Sequence, residues 1–288
     1  MATVLHISDL HFGRPSSHEK LKALEVSIRE IGPDAIAVSG DLTQRCTKRE
    51  FVRAREYLDG LAKIAPHIVI PGNHDVRWLG AVARNLGILG LIASKAHEFK
   101  YSRYTRHISE DLSPTLEIPG AVIAGLNTAH GITRGSLTRR LRDLGVIGHI
   151  RPEDVLRVKQ AFTNADAGSA RIVMIHHNPI KGSVSGRHGL ANTGQALRAF
   201  ADIGADLVLC GHDHLEAVHT VEETAPGLLI STAGTISNRV RPGRDSSFNL
   251  VDFGESSLRI TTYYWRDGTG FNPENERSFP RRTAPRSA

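Results

Sequence analysis

The chain has 288 residues, a formal net charge of +6 at pH 7, and 40% hydrophobic but only 6% aromatic residues, which is typical of a globular protein with an aliphatic core. No run approaches the roughly 20 apolar residues that a membrane-spanning helix needs. The two cysteines, Cys46 and Cys210, are too few for a disulfide framework. Met1 leads directly into a short apolar segment without the pattern of a signal peptide, so we expect a cytoplasmic protein.

Short apolar segments recur along the chain and predict buried strands. Each has four to six residues, is rich in Val and Ile, and is bounded by Gly, Pro or Asp. They lie at residues 3–8, 34–39, 67–70, 121–126, 171–176 and 206–210.

Amphipathic segments between these strands predict helices. One covers residues 17–32, with Ser17 as N-cap and Gly32 as C-terminal stop, and others cover 47–61 and 151–162. Alternating strands and helices indicate an α/β fold. The strands after residue 206 follow one another directly, at 217–221, 228–232, 247–252 and 258–265, which indicates antiparallel additions and a mixed sheet.

No linker divides the chain, so we expect a single domain over residues 1–265. A helical, basic and aromatic stretch at about 76–119 resembles an insertion beside the core. The tail at 266–288 is rich in Arg and Pro, and we expect it to be disordered. Because this tail holds part of the basic excess, the net charge favours a solvated basic surface over a dedicated nucleic-acid surface.

Polar side chains follow five of the predicted strands, at the point where each strand ends. Ligands bind beyond the carboxyl ends of strands in open α/β sheets, so we expect these side chains to converge. They are Asp9 and His11, Asp41, Asn73 with His74 and Asp75, His176 with His177, and His212 with His214.

This mixture of carboxylates, imidazoles and one amide indicates a metal site. Carboxylates packed together repel one another, and burying them without a cation is costly. Oxygen and nitrogen ligands without thiolate suit Mn, Fe or Zn. The ligands are too numerous for one ion, so we expect two divalent metal ions.

The motifs DLH at 9–11, GD at 40–41, GNHD at 72–75, HH at 176–177 and GHDH at 211–214 resemble, in order and spacing, those of the calcineurin-like metallophosphoesterases. The resemblance covers about residues 3–265. It implies a four-layer αββα sandwich, in which two mixed β-sheets lie face to face with helices outside. It also implies hydrolysis of a phosphate ester at a binuclear metal centre.

The resemblance also implies a role for each motif residue. Asp9, His11 and His214 would hold the first metal. Asn73, His176 and His212 would hold the second, with Asp41 bridging both.

Four motif neighbours have other implied roles. His74 would face the substrate, where it stabilises the charge of the phosphorane or protonates the leaving oxygen. Asp75 would orient His74 or a neighbouring ligand through a hydrogen bond. Of the two adjacent histidines, His176 is the expected metal ligand, and His177 would lie behind the ligands without contacting a metal.

Among these enzymes, the layout resembles most the class III cyclic-nucleotide phosphodiesterases, so the expected substrate is a small phosphodiester, a nucleotide of the cAMP type. The similarity extends over residues 125–131, 148–162 and 231–241. Asn127 and His130 are therefore candidate substrate contacts. The alternative, that they are turn residues at the end of a strand, fits the sequence equally well. Relatives are often dimers, which leaves a homodimer open.

The sequence leaves three further functions open. The first is a nuclease, in which the basic and aromatic residues at 95–107 would supply phosphate contacts and stacking surfaces, although we favour packing of these aromatics against the core. The second is a phosphodiesterase of phospholipid head groups. The third is a non-catalytic binding module, which is the least favoured because no ligand is missing.

Overall fold

The computed structural model describes residues 1–77, 93–130, 147–180, 189–222 and 225–282, and within these ranges the strands form two six-stranded sheets. The first sheet has the order β12 (Gly270–Pro280), β11 (Ser257–Arg266), β10 (Ser247–Phe253), β1 (Ala2–Ile7), β2 (Ala35–Val38), β3 (His67–Val69). Strands β1, β2 and β3 are parallel, whereas β10, β11 and β12 pair antiparallel. The first sheet is therefore mixed, as predicted.

The second sheet repeats this plan with the order β4 (Thr115–Ile118), β5 (Ala121–Gly125), β6 (Ala170–Met174), β7 (Leu207–Cys210), β9 (Leu228–Thr232), β8 (Ala217–Val221). Its four central strands are parallel, and the two edge strands β4 and β8 are antiparallel to their neighbours. The carboxyl ends of β5, β6, β7 and β9 therefore lie at one edge of the sheet.

Helices cover the outer face of each sheet. Helices α1 (His18–Ile31) and α2 (Lys48–Leu61) pack on the first sheet. Tyr104 of α3 (Ala93–His107) is buried in the same apolar layer. Helices α4 (Pro152–Asn164) and α5 (Thr193–Asp202) pack on the second sheet. None of the described helices combines the length and apolarity that crossing a membrane requires.

The main apolar layer lies between the two sheets, where Val4 and Val251 of the first meet Ile123 and Ile172 of the second. Because side chains alternate along a strand, Leu5 of β1 faces the helices instead. The order of layers is thus helix, sheet, sheet, helix, and the predicted four-layer αββα sandwich is confirmed.

The helix termini also follow the sequence signals. Ser17 accepts a hydrogen bond from the amide of Lys20 at the start of α1, and Gly32 ends that helix with a left-handed backbone (φ 60°). Helix α2 begins with a capping box, in which Thr47 and Glu50 each accept the amide of the other.

Two predictions differ from the structure. The predicted disorder of 266–288 is wrong for Gly270–Pro280, because β12 pairs along β11 and the ring of Phe271 packs against Trp265, with centroids 5.5 Å apart. The predicted insertion at 76–119 contains α3, but it also contains β4, which belongs to the second sheet. Residues 78–92 and 283–288 of these two segments lie outside the described residues.

Candidate metal centre

The seven predicted ligands meet where strands of the two sheets end. Strands β1 and β2 of the first sheet end just before Asp9, His11 and Asp41, and Asn73 opens a 3₁₀-helix (Asn73–Asp75) after β3. Strands β6 and β7 of the second sheet end just before His176, His212 and His214. Each residue directs an oxygen or nitrogen atom into one of two adjoining clusters, and Asp41 directs one oxygen into each.

The first cluster contains Asp9, His11, Asp41 and His214, all buried, with one ligand atom from each lying within 4.8 Å of the others. The Nε2 atoms of His11 and His214 are 3.0 Å apart. Asp9 Oδ1 lies 3.1 Å from His214 Nε2 and 3.6 Å from His11 Nε2. Four potential ligand atoms therefore surround one point.

The second cluster is built around the amide oxygen of Asn73. This oxygen lies 3.2 Å from His176 Nε2 and 2.9 Å from His212 Nδ1. Asp41 Oδ1 is 3.4 Å from His176 Nε2, while Asp41 Oδ2 is 3.8 Å from His11 Nε2. Asp41 thus presents one oxygen to each cluster, which is the geometry of a bridging carboxylate.

Backbone carbonyls fix the tautomers of two histidines. His214 Nδ1 lies 2.6 Å from the carbonyl oxygen of Arg239, and His176 Nδ1 lies 2.8 Å from that of Ser39. A carbonyl only accepts, so each Nδ1 carries a hydrogen, and each Nε2 is the nitrogen that can present a lone pair to its cluster once it gives up its own proton. Histidine ligands of metals are oriented in this way by their outer hydrogen bonds.

The backbone at the strand ends is held in an uncommon conformation. Five predicted ligands have left-handed φ values between 46° and 74°, namely Asp9, His11, Asp41, His212 and His214. Each such residue costs on the order of 1 kcal/mol or more, and such strain is found where function requires a fixed geometry.

Glycines let these turns approach one another closely. A Cβ on Gly72 would lie 2.2 Å from Asp41 Oδ1, and one on Gly211 would lie 2.6 Å from Asp9 Oδ2. The glycines of the GNHD and GHDH motifs therefore leave room for the carboxylates.

The charges of the two clusters fit divalent cations. Burial favours the neutral acid, but the imidazoles of His176 and His74 hold the pKa of Asp41 well below its usual range. Burial also opposes protonation of His176, but the Asp41 carboxylate outweighs it and raises the pKa of His176 to about 9. Asp9 Oδ1 is buried without a hydrogen-bond donor among the described residues. Positive charge at this point would compensate each of these features.

His74 lies beside the clusters and contacts an arginine that none of the sequence motifs contains. Its Nδ1 is 2.7 Å from the carbonyl oxygen of Gln44, and its Nε2 is 2.9 Å from Nη1 of Arg239. The carbonyl only accepts and the guanidinium only donates, so the Nδ1 of His74 carries the hydrogen. The ring is also 4.9 Å from that of His11, edge to face.

Asp75 and His177 support the ligands from outside. The carboxylate of Asp75 accepts the amides of Leu42, Thr43 and Gly72 at 2.8–3.0 Å, so it holds the backbone on both sides of the site rather than the His74 ring. His177 Nδ1 is paired with Thr128 Oγ1 at 2.7 Å, and its ring lies 5.0 Å from that of His176.

The two candidate substrate contacts are both buried. The amide of Asn127 is used within the protein, because it donates to Tyr101 and accepts the amide of Ala129, each at 2.9 Å. This arrangement matches the role of a turn residue. His130 lies 3.9 Å from Asp154, and burial together with Arg151 lowers its pKa to about 4.

Sequence reasoning missed the loop after β9, which closes the site. Arg239 contacts His214 through its carbonyl oxygen and His74 through its guanidinium. Thr235 donates to the carbonyl oxygen of Asp9 at 2.6 Å. The sequence signal for this loop was the family resemblance of residues 231–241. That resemblance did not give a role to any residue in the loop.

Comparison with known proteins identifies the same fold. A dimetal phosphatase from Danio rerio has 12% sequence identity and a TM-score of 0.66, over 98% of this chain and 99% of that chain. Purple acid phosphatase PPD1 from yellow lupin (Lupinus luteus) seeds has the same identity and TM-score, over 97% of this chain and 54% of its own. This chain thus spans about half of the lupin enzyme. At these identities the likeness is one of fold.

The family match rests on sequence. A search of curated protein sequences returned no significant match. The sequence profile described as calcineurin-like phosphoesterase, however, matches residues 2–216, which is most of the chain. The chain belongs to the calcineurin-like phosphoesterase family, and it is a metal-dependent phosphoesterase that uses two divalent metal ions.

Proposed function

We propose that this phosphoesterase hydrolyses a phosphodiester, and that its substrate is a cyclic nucleotide of the cAMP type. The proposal rests on the position of the three stretches that resemble class III cyclic-nucleotide phosphodiesterases. Thr128 and Gly148, from two of these stretches, contact His177, and Arg239, from the third, contacts His214 and His74. Each of the three stretches therefore brings at least one residue to the metal clusters or to the residues beside them.

In this proposal the clusters hold the two metals as the family resemblance implies. Asp9, His11 and His214 would hold one ion, Asn73, His176 and His212 would hold the other, and Asp41, which faces both clusters, would be shared between them. When bound, the two ions neutralise the charge of the phosphate and lower the pKa of the attacking water. The carbonyls of Ser39 and Arg239 keep two imidazoles turned toward the metals.

His74 is the proposed catalytic residue, and Arg239 shares its task. In the free enzyme the guanidinium of Arg239 donates to Nε2 of His74, which leaves Nε2 without a proton to give. An anionic phosphate draws the guanidinium to its own oxygens. The released Nε2 then carries a proton supplied by a buffer acid of the solvent and passes it to the leaving oxygen, which would otherwise depart as a poor alkoxide leaving group.

The nuclease hypothesis is weaker in one respect. Tyr101 and Tyr104 of the basic, aromatic helix α3 are 2% and 0% exposed. They pack into the protein and are not available to stack on bases. The complete ligand set likewise argues against a non-catalytic binding module.

The test is hydrolysis of bis-(p-nitrophenyl) phosphate, cAMP, a phospholipid and a single-stranded oligonucleotide by the Mn²⁺-loaded enzyme. Asn73→Ala removes the amide oxygen at the centre of the second cluster and should abolish turnover of every substrate. Asn164→Ala, at an exposed position near the end of α4, is the matched control and should be fully active.

Turnover of cAMP with no cleavage of the oligonucleotide or the lipid supports the proposal. Cleavage of the oligonucleotide or the lipid in preference to cAMP would assign the same site to a nuclease or to a phospholipid head-group phosphodiesterase, respectively. Full activity of Asn73→Ala would contradict the assignment of the second metal cluster.

A further inference from the structure

A cavity lined by basic side chains lies beside the metal centre and carries the opposite charge. It has a volume of about 290 Å³ and is lined by Lys48, Arg77, Ser102, Arg103, Arg106 and His107. Lys48 begins α2, Arg77 follows the GNHD motif, and the other four belong to α3. Four cationic side chains, one imidazole and one hydroxyl therefore face a single space.

The cations of this cavity lack acidic partners among the residues that the structure describes. There, no carboxylate lies within ion-pair distance of Lys48, Arg77, Arg103 or Arg106, although exposed basic residues elsewhere form such pairs, as Arg55 does with Asp59 at 2.8 Å. Like charges gathered without a counterion repel one another and destabilise the free protein.

The neighbouring acids are already engaged. Glu50 accepts the amides of Arg45 and Thr47 at 3.0 and 2.9 Å. Asp75 accepts three amides on the side of the metal centre. Among the described residues, neither carboxylate lies within ion-pair distance of a cation of the cavity.

Two of the arginines are held in place. The guanidinium of Arg77 lies over the ring of Phe99, 3.9 Å from its centroid, and its N–H groups have no acceptor among the residues that the structure describes. Arg103 donates from Nη1 to the carbonyl oxygen of Cys46 at 2.5 Å, and it keeps its other N–H groups. The His107 ring is stacked on Phe51.

We propose that this cavity binds a phosphate group that is distinct from the phosphate hydrolysed at the metal centre. Arginine guanidinium groups and a lysine ammonium are the donors that recognise phosphate oxygens in proteins. The hydroxyl of Ser102 is not counted among them, because it donates to the carbonyl oxygen of Phe99 at 2.8 Å. The ligand is a phosphate dianion, either free inorganic phosphate or the terminal phosphate of a nucleotide. This inference goes beyond the proposed function and does not depend on which ester is hydrolysed.

His107 provides a local readout of binding. In the free protein, burial and the charges of Lys48, Arg106 and Arg103 lower its pKa. A phosphate dianion bound among these groups opposes that effect and raises the pKa of His107. Phosphate at the metal centre would leave this signal unchanged, because His107 does not belong to either cluster.

The experiment is an NMR titration of the His107 imidazole in the zinc-loaded protein, assigned with His107→Gln. Inorganic phosphate is compared with sodium chloride at matched ionic strength. We expect phosphate to raise the pKa of His107 by about one unit, as an opposite charge at close range does.

Two double variants locate the effect. Lys48→Gln/Arg106→Gln removes two exposed cations of the cavity, and we expect it to abolish most of the phosphate-dependent rise. Lys22→Gln/Lys159→Gln removes the same charge from exposed positions on α1 and α4, and it should behave as the wild type does. An equal rise in chloride, or an unchanged rise in the cavity variant, would overturn the proposal.

A second titration distinguishes the two sources of phosphate. The thymidine dinucleotide with a 5′-phosphate is compared with the same dinucleotide without it. If the phosphorylated dinucleotide shifts the His107 signal at lower concentration than inorganic phosphate, the cavity binds the terminal phosphate of a nucleotide. If equal concentrations are needed, free phosphate is the ligand, and no shift with any phosphate refutes the site.

Discussion

The metal centre and the cationic cavity handle charge in opposite ways, although one loop, residues 43–47, contacts both. Gln44 in this loop accepts from His74 beside the metal centre, and Cys46 accepts from Arg103 at the cavity. The metal centre gathers carboxylate, amide and imidazole lone pairs, whereas the cavity gathers N–H donors without carboxylates among its lining residues. Neither region balances its own charge. The metal centre therefore suits cations, and the cavity suits an anion.

The two regions also differ in how firmly they are built. The metal ligands are fixed by strand ends, left-handed backbone and outer hydrogen bonds to carbonyls. The cavity depends on long side chains, and those of Lys48 and Arg106 are exposed. Ordering such side chains costs entropy on binding. We therefore expect sharp losses from single changes at the metal centre and graded losses at the cavity.

Asp41→Asn should give the largest effect, because it removes the carboxylate that faces both clusters. We expect kcat/KM for bis-(p-nitrophenyl) phosphate to fall by more than about 100-fold, which is the upper range for residues that only support a ligand. Bound metal, measured by mass spectrometry, should fall with it. Asp166→Asn, at an exposed loop position, is the control, and full metal content in Asp41→Asn would contradict the bridging role.

Arg239→Gln tests a cation that belongs to the metal centre rather than to the cavity. We expect kcat to fall about ten- to a hundredfold, because a charged donor to the phosphate is lost. The metal content should not change, since His214 contacts the carbonyl oxygen of Arg239 and not its side chain. Arg244→Gln, on the same loop and likewise exposed, should be active, and loss of metal in Arg239→Gln would mean that the side chain is structural.

Much of the site was predictable because strand ends are readable in the sequence. The short apolar runs and the polar residues that follow them indicate both the sheets and the ligands. Asp9 and Asp41 could therefore be placed beside one another from the sequence, and the structure brings them together. The parallel strand pairs carry these ends to one edge.

The remaining parts depend on tertiary contacts without a local signal. Arg239 lies in a loop between strands, and only the fold brings it to His74. Strand β12 has the composition of a disordered tail and is ordered by pairing with β11. Asn127 follows a strand as the ligands do, but its amide closes a local turn. Strand-end position therefore selects candidates, and hydrogen bonding decides their roles.

Gly72→Ala should show how little space the metal centre leaves. The added Cβ would lie 2.2 Å from Asp41 Oδ1 and 2.3 Å from the Asp41 amide, so the backbone must shift. We expect a loss of about 1–3 kcal/mol in the free energy of unfolding, measured with urea, and weaker metal binding. Gly60→Ala is the matched control, because nothing lies within 4 Å of its Cβ.

The control variant Gly60→Ala should itself change the stability of the protein. Gly60 lies inside α2, where alanine is the better helix former, so Gly60→Ala should stabilise the protein by about 0.5–1 kcal/mol. If both variants were equally stable and both bound metal fully, the close approach of Gly72 to Asp41 would not constrain the site.

Thr47→Ala should give the smallest effect and test whether the shared loop couples the two regions. Thr47 caps α2 by accepting the amide of Glu50, and its loss should cost about 1 kcal/mol of stability. Lys48 follows directly, so the phosphate response of His107 should weaken while metal content stays constant. Ser17→Ala removes the equivalent cap of α1 and should cost the same stability without changing that response. A loss of metal in Thr47→Ala alone would show that the loop transmits strain to Asp41, and that the two regions are one coupled site.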